Sequence, residues 1–284
     1  MKRGLGSQGG YTIIEVIIFL AVSSALMASA VYLFQGRIPR TQFVNSVNEL
    51  DSKLRDTMNE VVNGYYPSDG NVSCNGAAAQ EQGRNEDCLF LGRTVQFGPG
   101  IGGCSISSPG EECDKIALYT ISGTRLQVSG DPAESLKEAQ PQLISSGSAA
   151  PLTASIGYGT YITKAFYNSG VGRIPVSGVS FVQSFGTGTN ADKSLKGAQQ
   201  VSLVAMQGTL GENMVAGDPA GFISKAAGVS GTIANGTNSV GEGVFVCLAG
   251  GKNQYAIIGI GGDNRSVATN VQILDKADWV VKGC

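Results

Sequence analysis

The run from Val16 to Phe34 carries no ionisable group other than the phenol of Tyr32. At a helical rise of about 1.5 Å per residue, its 19 residues span roughly 28 Å, close to the ~30 Å hydrocarbon thickness of a bilayer. The run is a membrane-helix candidate, and its flanking cations do not orient it. Lys2 and Arg3 precede it, while Arg37 and Arg40 follow. The cysteines do orient it. All six lie after the run, which fits export of the following chain into an oxidising compartment and leaves the short leader in the cytoplasm.

Three fates are open to such a segment. Ala28-Ser29-Ala30 offers an A-x-A site for ordinary signal peptidase, but Tyr11 to Met27 would then be an overlong apolar region of 17 residues with Glu15 inside it. An uncleaved generic anchor explains the length and leaves Glu15 as an interfacial carboxylate one turn inside the membrane. Such a group costs on the order of 2.5 to 3.5 kcal/mol at the helix centre, and less near the end. The third fate accounts for the whole string. Gly10-Tyr11-Thr12-Ile13-Ile14-Glu15, preceded by a short basic leader and followed by the apolar run, closely resembles the class III signal of type IV pilins and type II secretion pseudopilins.

That resemblance covers roughly residues 1 to 66. It implies that prepilin peptidase removes residues 1–10 by cutting after Gly10 on the cytoplasmic side, so that the helix 11–34 stays in the mature protein. Tyr11 becomes the N-methylated terminus, and Glu15 becomes the acidic fifth residue. A buried carboxylate is tolerable when it meets a positive charge, and Glu15 of an incoming subunit can neutralise the α-amine of Tyr11 on its neighbour. The implied partners are other pilin subunits, the peptidase, an assembly ATPase with its platform, and the membrane before assembly.

Downstream, residues 35–64 read as an amphipathic stalk. Phe43, Val47, Leu50, Leu54, Met58 and Val61 recur at steps of three or four on one helical face, which should pack under a sheet. Glu49 with Lys53, and Asp51 with Arg55, form i, i+4 pairs in the favourable order. Gly64 suits a C-terminal cap and Pro67 bars continuation, so the helix should stop near Asn63. Between membrane run and stalk, Gly36 and Pro39 predict a kink or a short melted stretch.

From Tyr65 to Cys284, about 220 residues, short β-rich runs alternate with Gly, Ser, Asn and Pro clusters. Strands are expected at Cys88 to Phe97, Ile116 to Ile121, Arg125 to Val128, Thr160 to Tyr167, Val179 to Phe185, Gln200 to Met206, Val244 to Leu248, Tyr255 to Ile260 and Val271 to Val281. Period-two alternation puts Val179, Phe181, Gln183 and Phe185 on one face, and Tyr161, Thr163, Ala165 and Tyr167 on another. The fold expected is α+β: a long N-terminal helix, half membrane-spanning and half stalk, packed on a disulfide-clipped, mainly antiparallel β head. A second small lobe is open near 143–239, a Gly- and Ser-rich stretch without cysteine.

Cys74, Cys88, Cys104, Cys113, Cys247 and Cys284 allow 15 pairings. The least demanding joins nearest neighbours: Cys74 with Cys88, Cys104 with Cys113, and Cys247 with Cys284. The last resembles the disulfide-bounded C-terminal region of many type IV pilins. A metal site is disfavoured, because no C-x-x-C pair and no His occurs.

Chemistry is otherwise sparse. Without His there is no Ser-His-Asp or Cys-His pair. Gly250-Gly251-Lys252 lacks the upstream glycine and following Ser or Thr of a phosphate loop, and reads as a hairpin turn. Gly261-Gly262-Asp263-Asn264 supplies one carboxylate, far short of a calcium loop. Sequons at Asn71, Asn235 and Asn264 are near chance. With Lys+Arg 20 against Asp+Glu 22, the net charge of −2 gives no reason to seek nucleic acid. The expectation is a non-enzymatic structural subunit without cofactor, minor pilin or pseudopilin, held in the cytoplasmic membrane and then in an extracellular filament. The rival is a single-pass anchored adhesin or binding module that never assembles.

Overall fold

The computed structural model describes residues 11–35, 37–64, 74, 88–98, 113–133, 135–144, 152–169, 172–183, 201–212, 214–215, 217–226, 243–251, 253–261 and 267–284. The chain divides into two compact units, Met1–Gln42 and Phe43–Cys284. The first contains helix α1 (Ile13–Gln35) and the start of α2 (Arg37–Val62). Among the described residues, the second holds the rest of α2, ten strands and two short helices.

α2 forms because its apolar residues fall on one stripe. Phe43, Val47, Leu50, Leu54 and Val61 are each at most 2% exposed and belong to one core with the sheet. Each contributes roughly 1.5–3 kcal/mol through area removed from water. The expected ion pairs are present, Lys53 to Glu49 at 2.8 Å and Arg55 to Asp51 at 2.9 Å. The helix ends where the sequence predicts. Gly64 adopts φ +62°, a left-handed cap, and donates its N–H to the Val61 carbonyl at 3.1 Å. Pro39 falls in the first turn of α2, where its missing N–H costs no helical bond, so helix runs through the position expected to kink; Gly36 lies outside the described residues.

The strands are β1 (Cys88–Phe97), β2 (Lys115–Thr124), β3 (Gln142–Ile144), β4 (Leu152–Ser155), β5 (Tyr161–Ser169), β6 (Gly172–Gln183), β7 (Val201–Gln207), β8 (Val244–Gly250), β9 (Gln254–Ile260) and β10 (Thr269–Leu274). The main path runs β10-β9-β8-β5-β6-β1-β2-β3, with β4 also on β2 and β7 also on β6. Every described pairing is antiparallel. β6 joins two groups of strands: Gly172 to Pro175 pair with β5, while Val176 to Gln183 pair with β7 and Gly178 to Val182 with β1. The architecture is α+β, a helix packed on a mainly antiparallel sheet, as expected. β4 to β7 lie inside the stretch 143–239 and share this sheet and this unit; segments 184–200 and 227–242 lie outside the described residues.

Alternation along the strands builds a core on each face. On β7, Leu203 and Ala205 join the α2 side, while Val204 and Met206 join a second cluster. That second cluster is covered by Phe222 of α3 (Pro219–Lys225) and by Leu136, Ala139, Leu143 and Met214.

Three local expectations are corrected. Arg125 to Val128 is a folded-back turn: Ala133 N–H bonds Arg125 O at 2.9 Å and Gln127 N–H bonds Asp131 O at 2.8 Å, so these residues pair across their own loop. The strand expected over Val271 to Val281 stops at Leu274, because the Asp275 carboxylate accepts from Asp278 N–H at 2.8 Å and starts helix α4 (Lys276–Val281). In β5 the register shifts between Ile162 and Lys164, so Ala165 and Tyr167 face α2 while Tyr161 faces away.

Candidate functional site

α1 is apolar on every side. Ile13–Tyr32 is long and apolar enough to cross a membrane, and among the described residues none of its hydrophobic side chains is buried. Phe19 is 70% exposed and Leu26 65%. A helix with no polar face is not a surface helix of a soluble domain; it requires an apolar surround. Two of its hydroxyls bond back to the helix, Ser24 donating to Ala21 O at 2.9 Å and Ser29 to Leu26 O at 2.8 Å. Exposed tyrosines stand at both ends, Tyr11 and Tyr32, the placement favoured at membrane–water interfaces.

Glu15 occupies the first turn of α1 and is exposed. Thr12 precedes the helix, and its hydroxyl accepts from Glu15 N–H at 3.3 Å while its carbonyl accepts from Val16 N–H at 3.2 Å. Thr12-x-x-Glu15 is therefore a capping-box pattern, with a carboxylate at the positive end of the helix dipole. Sequence reasoning read Glu15 as an intermolecular partner or an interfacial carboxylate; the Thr-x-x-Glu spacing carried this local role. Gly10 lies outside the described residues.

In the head, Cys74 is bonded to Cys88, with Cα atoms 5.7 Å apart, and Cys247 to Cys284 at 5.6 Å. Cys113 is also disulfide-bonded; its expected partner Cys104 lies outside the described residues. Polar contacts unforeseen from sequence fix α2 to the sheet. Arg93 on β1 forms an ion pair with Glu60, Gln183 Nε2 donates to Val61 O at 3.2 Å, and Arg55 Nε donates to Thr269 Oγ1 at 2.7 Å.

No protein family, curated protein or solved structure matches this chain.

Geometry therefore carries the assignment: a membrane-associated chain with an apolar N-terminal helix and a disulfide-linked antiparallel head, compatible with pilin-like architecture in general. Gly250 and Gly251 do lie at a hairpin, with Gly250 opposite Gln254. Residues 262–266, including Asp263 and Asn264, and the sequons at Asn71 and Asn235 lie outside the described residues. Among the described residues, no three His, Cys, Asp or Glu form a metal-binding group. Two described groups titrate away from their ordinary ranges, and both have local structural causes. A hydrogen bond from Lys225 Nζ holds the Glu212 carboxyl low, and burial pushes the Tyr119 phenol up.

Proposed function

We propose that this chain is a filament subunit of the type IV pilin or pseudopilin kind, a minor subunit rather than a catalyst. Prepilin peptidase cuts after Gly10, Tyr11 is methylated, and the subunit waits in the cytoplasmic membrane until an assembly ATPase and platform draw it into a filament with sibling pilins. The supporting observation is that, among the described residues, the apolar side chains of Ile13–Tyr32 are not buried, so lipid first, and then neighbouring helices, would supply the cover. In the assembled state Glu15 of one subunit pairs with the Tyr11 amine of the next, and the head faces outward.

The test replaces Glu15. Glu15→Leu removes the carboxylate, and Glu15→Gln keeps a side chain able to bond at the helix start. Leaving a buried amine unmatched costs about 3–5 kcal/mol, so both variants enter sheared filaments orders of magnitude less well. Membrane levels stay near those of the parent, and trimming at Gly10 continues. Equal incorporation of the variants and the parent would refute the pairing, and a mature chain beginning at Val31 would replace this function with ordinary secretion.

A further inference from the structure

We propose that the outer edge of β10 is an interface between two copies of this chain, which pair β10 with β10 antiparallel about a twofold axis at Gln272. The inference goes beyond the function proposed above and needs neither trimming at Gly10 nor filament assembly.

β10 lies at one end of the main strand path and, among the described residues, pairs only with β9. The other margins are engaged or short. Gly217 N–H bonds Leu143 O of β3 at 2.9 Å, Ala226 bridges to Met206 of β7, and the four residues of β4 receive Lys53 Nζ on Ser155 O at 3.5 Å. One bond fixes how the backbone of β10 is turned. Gly261 N–H reaches Ala268 O at 2.7 Å, so residues 268, 270, 272 and 274 direct their N–H and C=O at β9, and residues 269, 271 and 273 direct theirs outward. Arg55 agrees with that direction, its Nη2 donating to Thr269 O at 3.4 Å and its Nε to Thr269 Oγ1 at 2.7 Å. Val271 and Ile273 are left with outward backbone groups that no described residue takes up.

Strand edges that must stay single carry a lysine, a proline, a bulge or a cover, because a row of free N–H and C=O groups is a template for another strand. β10 carries none of the first three. Thr269 to Leu274 holds no charged residue and no proline, its register with β9 is unbroken over six pairs, and Ile273 is 42% exposed.

The strand's complementarity to itself identifies the occupant. Arg55 already holds Thr269 O, so pairing falls to Val271 and Ile273. The antiparallel register that uses both sets Val271 opposite Ile273 of the second copy and Ile273 opposite its Val271. Four backbone bonds form, the two apolar pairs cover one another on the α2 side, and Gln272 meets Gln272 at the axis, where each amide both donates and accepts. The same register brings Asp275, exposed and still extended at φ −81° and ψ 172°, opposite Thr269 of the second copy, where Arg55 stands. Opposite charges therefore meet at both ends of the joined strands, as twofold symmetry requires. Sliding one copy by two residues loses this match. In one direction it takes Thr269 O from Arg55, and in the other it sets Val271 against Asp275, where α4 begins.

Two six-residue strands make a small interface, so the association is weak and is read by trapping it. Opposed residues between the bonded pairs have Cα atoms about 4.5 Å apart, within the roughly 4.4–6.8 Å that a disulfide spans. The full chain in detergent is treated with a mild oxidant, the parent serving as control because its described cysteines are already bonded. Gln272→Cys gives a disulfide dimer of twice the chain mass. Asn270→Cys and Leu274→Cys each give none alone, since four residues of strand separate each from its own copy, but they cross-link when mixed. Ile273→Lys added to Gln272→Cys abolishes the dimer while circular dichroism stays unchanged. Absence of the Gln272→Cys dimer overturns the proposal, as does equal trapping of all three single variants or a dimer that persists with Ile273→Lys. In membranes of expressing cells, a Gln272→Cys adduct of any mass other than twice the chain's overturns the second copy as occupant and assigns the edge to a different protein.

Discussion

Cutting the C-terminal clip gives a quantitative test of how the head is held. Cys247 and Cys284 are 37 residues apart, and the loop-closure expression for that length gives about 13 cal/mol/K, or roughly 4 kcal/mol at 25 °C, lost when the cross-link no longer restrains the unfolded chain. Cys247→Ala with Cys284→Ala removes the bond without leaving a buried thiol. The native state recovers part of this loss by fraying. α4 has six residues, too short to be helical alone, and its other ties among the described residues include the Trp279–Tyr255 stack and the bond from Lys164 Nζ to Gly283 O at 3.0 Å. Urea unfolding of the full chain in detergent, followed by Trp279 fluorescence and by circular dichroism, separates the two levels. In the parent the two signals change together. In the variant the overall transition moves to lower urea by up to about 4 kcal/mol, and the Trp279 signal changes first. Overall stability within about 0.5 kcal/mol of the parent, with coincident signals, would refute the idea that the bridge rather than the contacts holds α4.

Leu54→Ala, at a side chain 0% exposed beneath the sheet, should cost about 2–5 kcal/mol in urea unfolding, whereas Ser52→Ala on the exposed face should stay within about 0.5 kcal/mol; equal losses would contradict the packing. Glu212 is held below the ordinary glutamate value of 4.5 by Lys225, so its contribution is full above that value and disappears as pH falls through the lower folded value. Glu212→Gln should therefore destabilise the head at pH 7 and match the parent in strong acid, and a difference that persists in acid would rule out the charge as its origin.

The long periodic elements were legible in the sequence. α2 could be read because six apolar residues on one stripe have no other use, and the glycine after its last turn has the left-handed cap that only a helix end requires. β1 was found with its full length because a Cys and a Gly-Pro pair bracket it. The strand face of Val179, Phe181 and Gln183 was also readable, and Gln183 bonds the end of α2 from it. What failed was local competition. Arg125 to Val128 has β-like composition, but Asp131-Pro132 lets the chain bond back on itself. Asp275 ends a strand that hydropathy alone would continue to Val281, because its carboxylate offers the next backbone N–H a partner. The bulge in β5 and the Glu60–Arg93 pair depend on neighbours distant in sequence, which no window of residues reveals. At the candidate site, Glu15 was conspicuous by its charge, and its cap partner Thr12 was overlooked because the two serve a structure shorter than the apolar run around them.

The position of β6 also constrains the order in which the head can be completed. β5 ends at Ser169, but its partner β8 begins at Val244, and β9 and β10 follow later still. A chain emerging N-terminus first can close β1 on β2 and then add β6 and β7, while the apolar side of β5 and much of the α2 face wait uncovered until residue 250 is free. The contacts that finish the head are its most distant in sequence, and distant contacts form slowly because a long loop must be ordered first. During that interval the half-built sheet presents its unpaired β5 edge and open core to any other exposed strand, so the moment of greatest risk of misassociation precedes synthesis of β8 to β10.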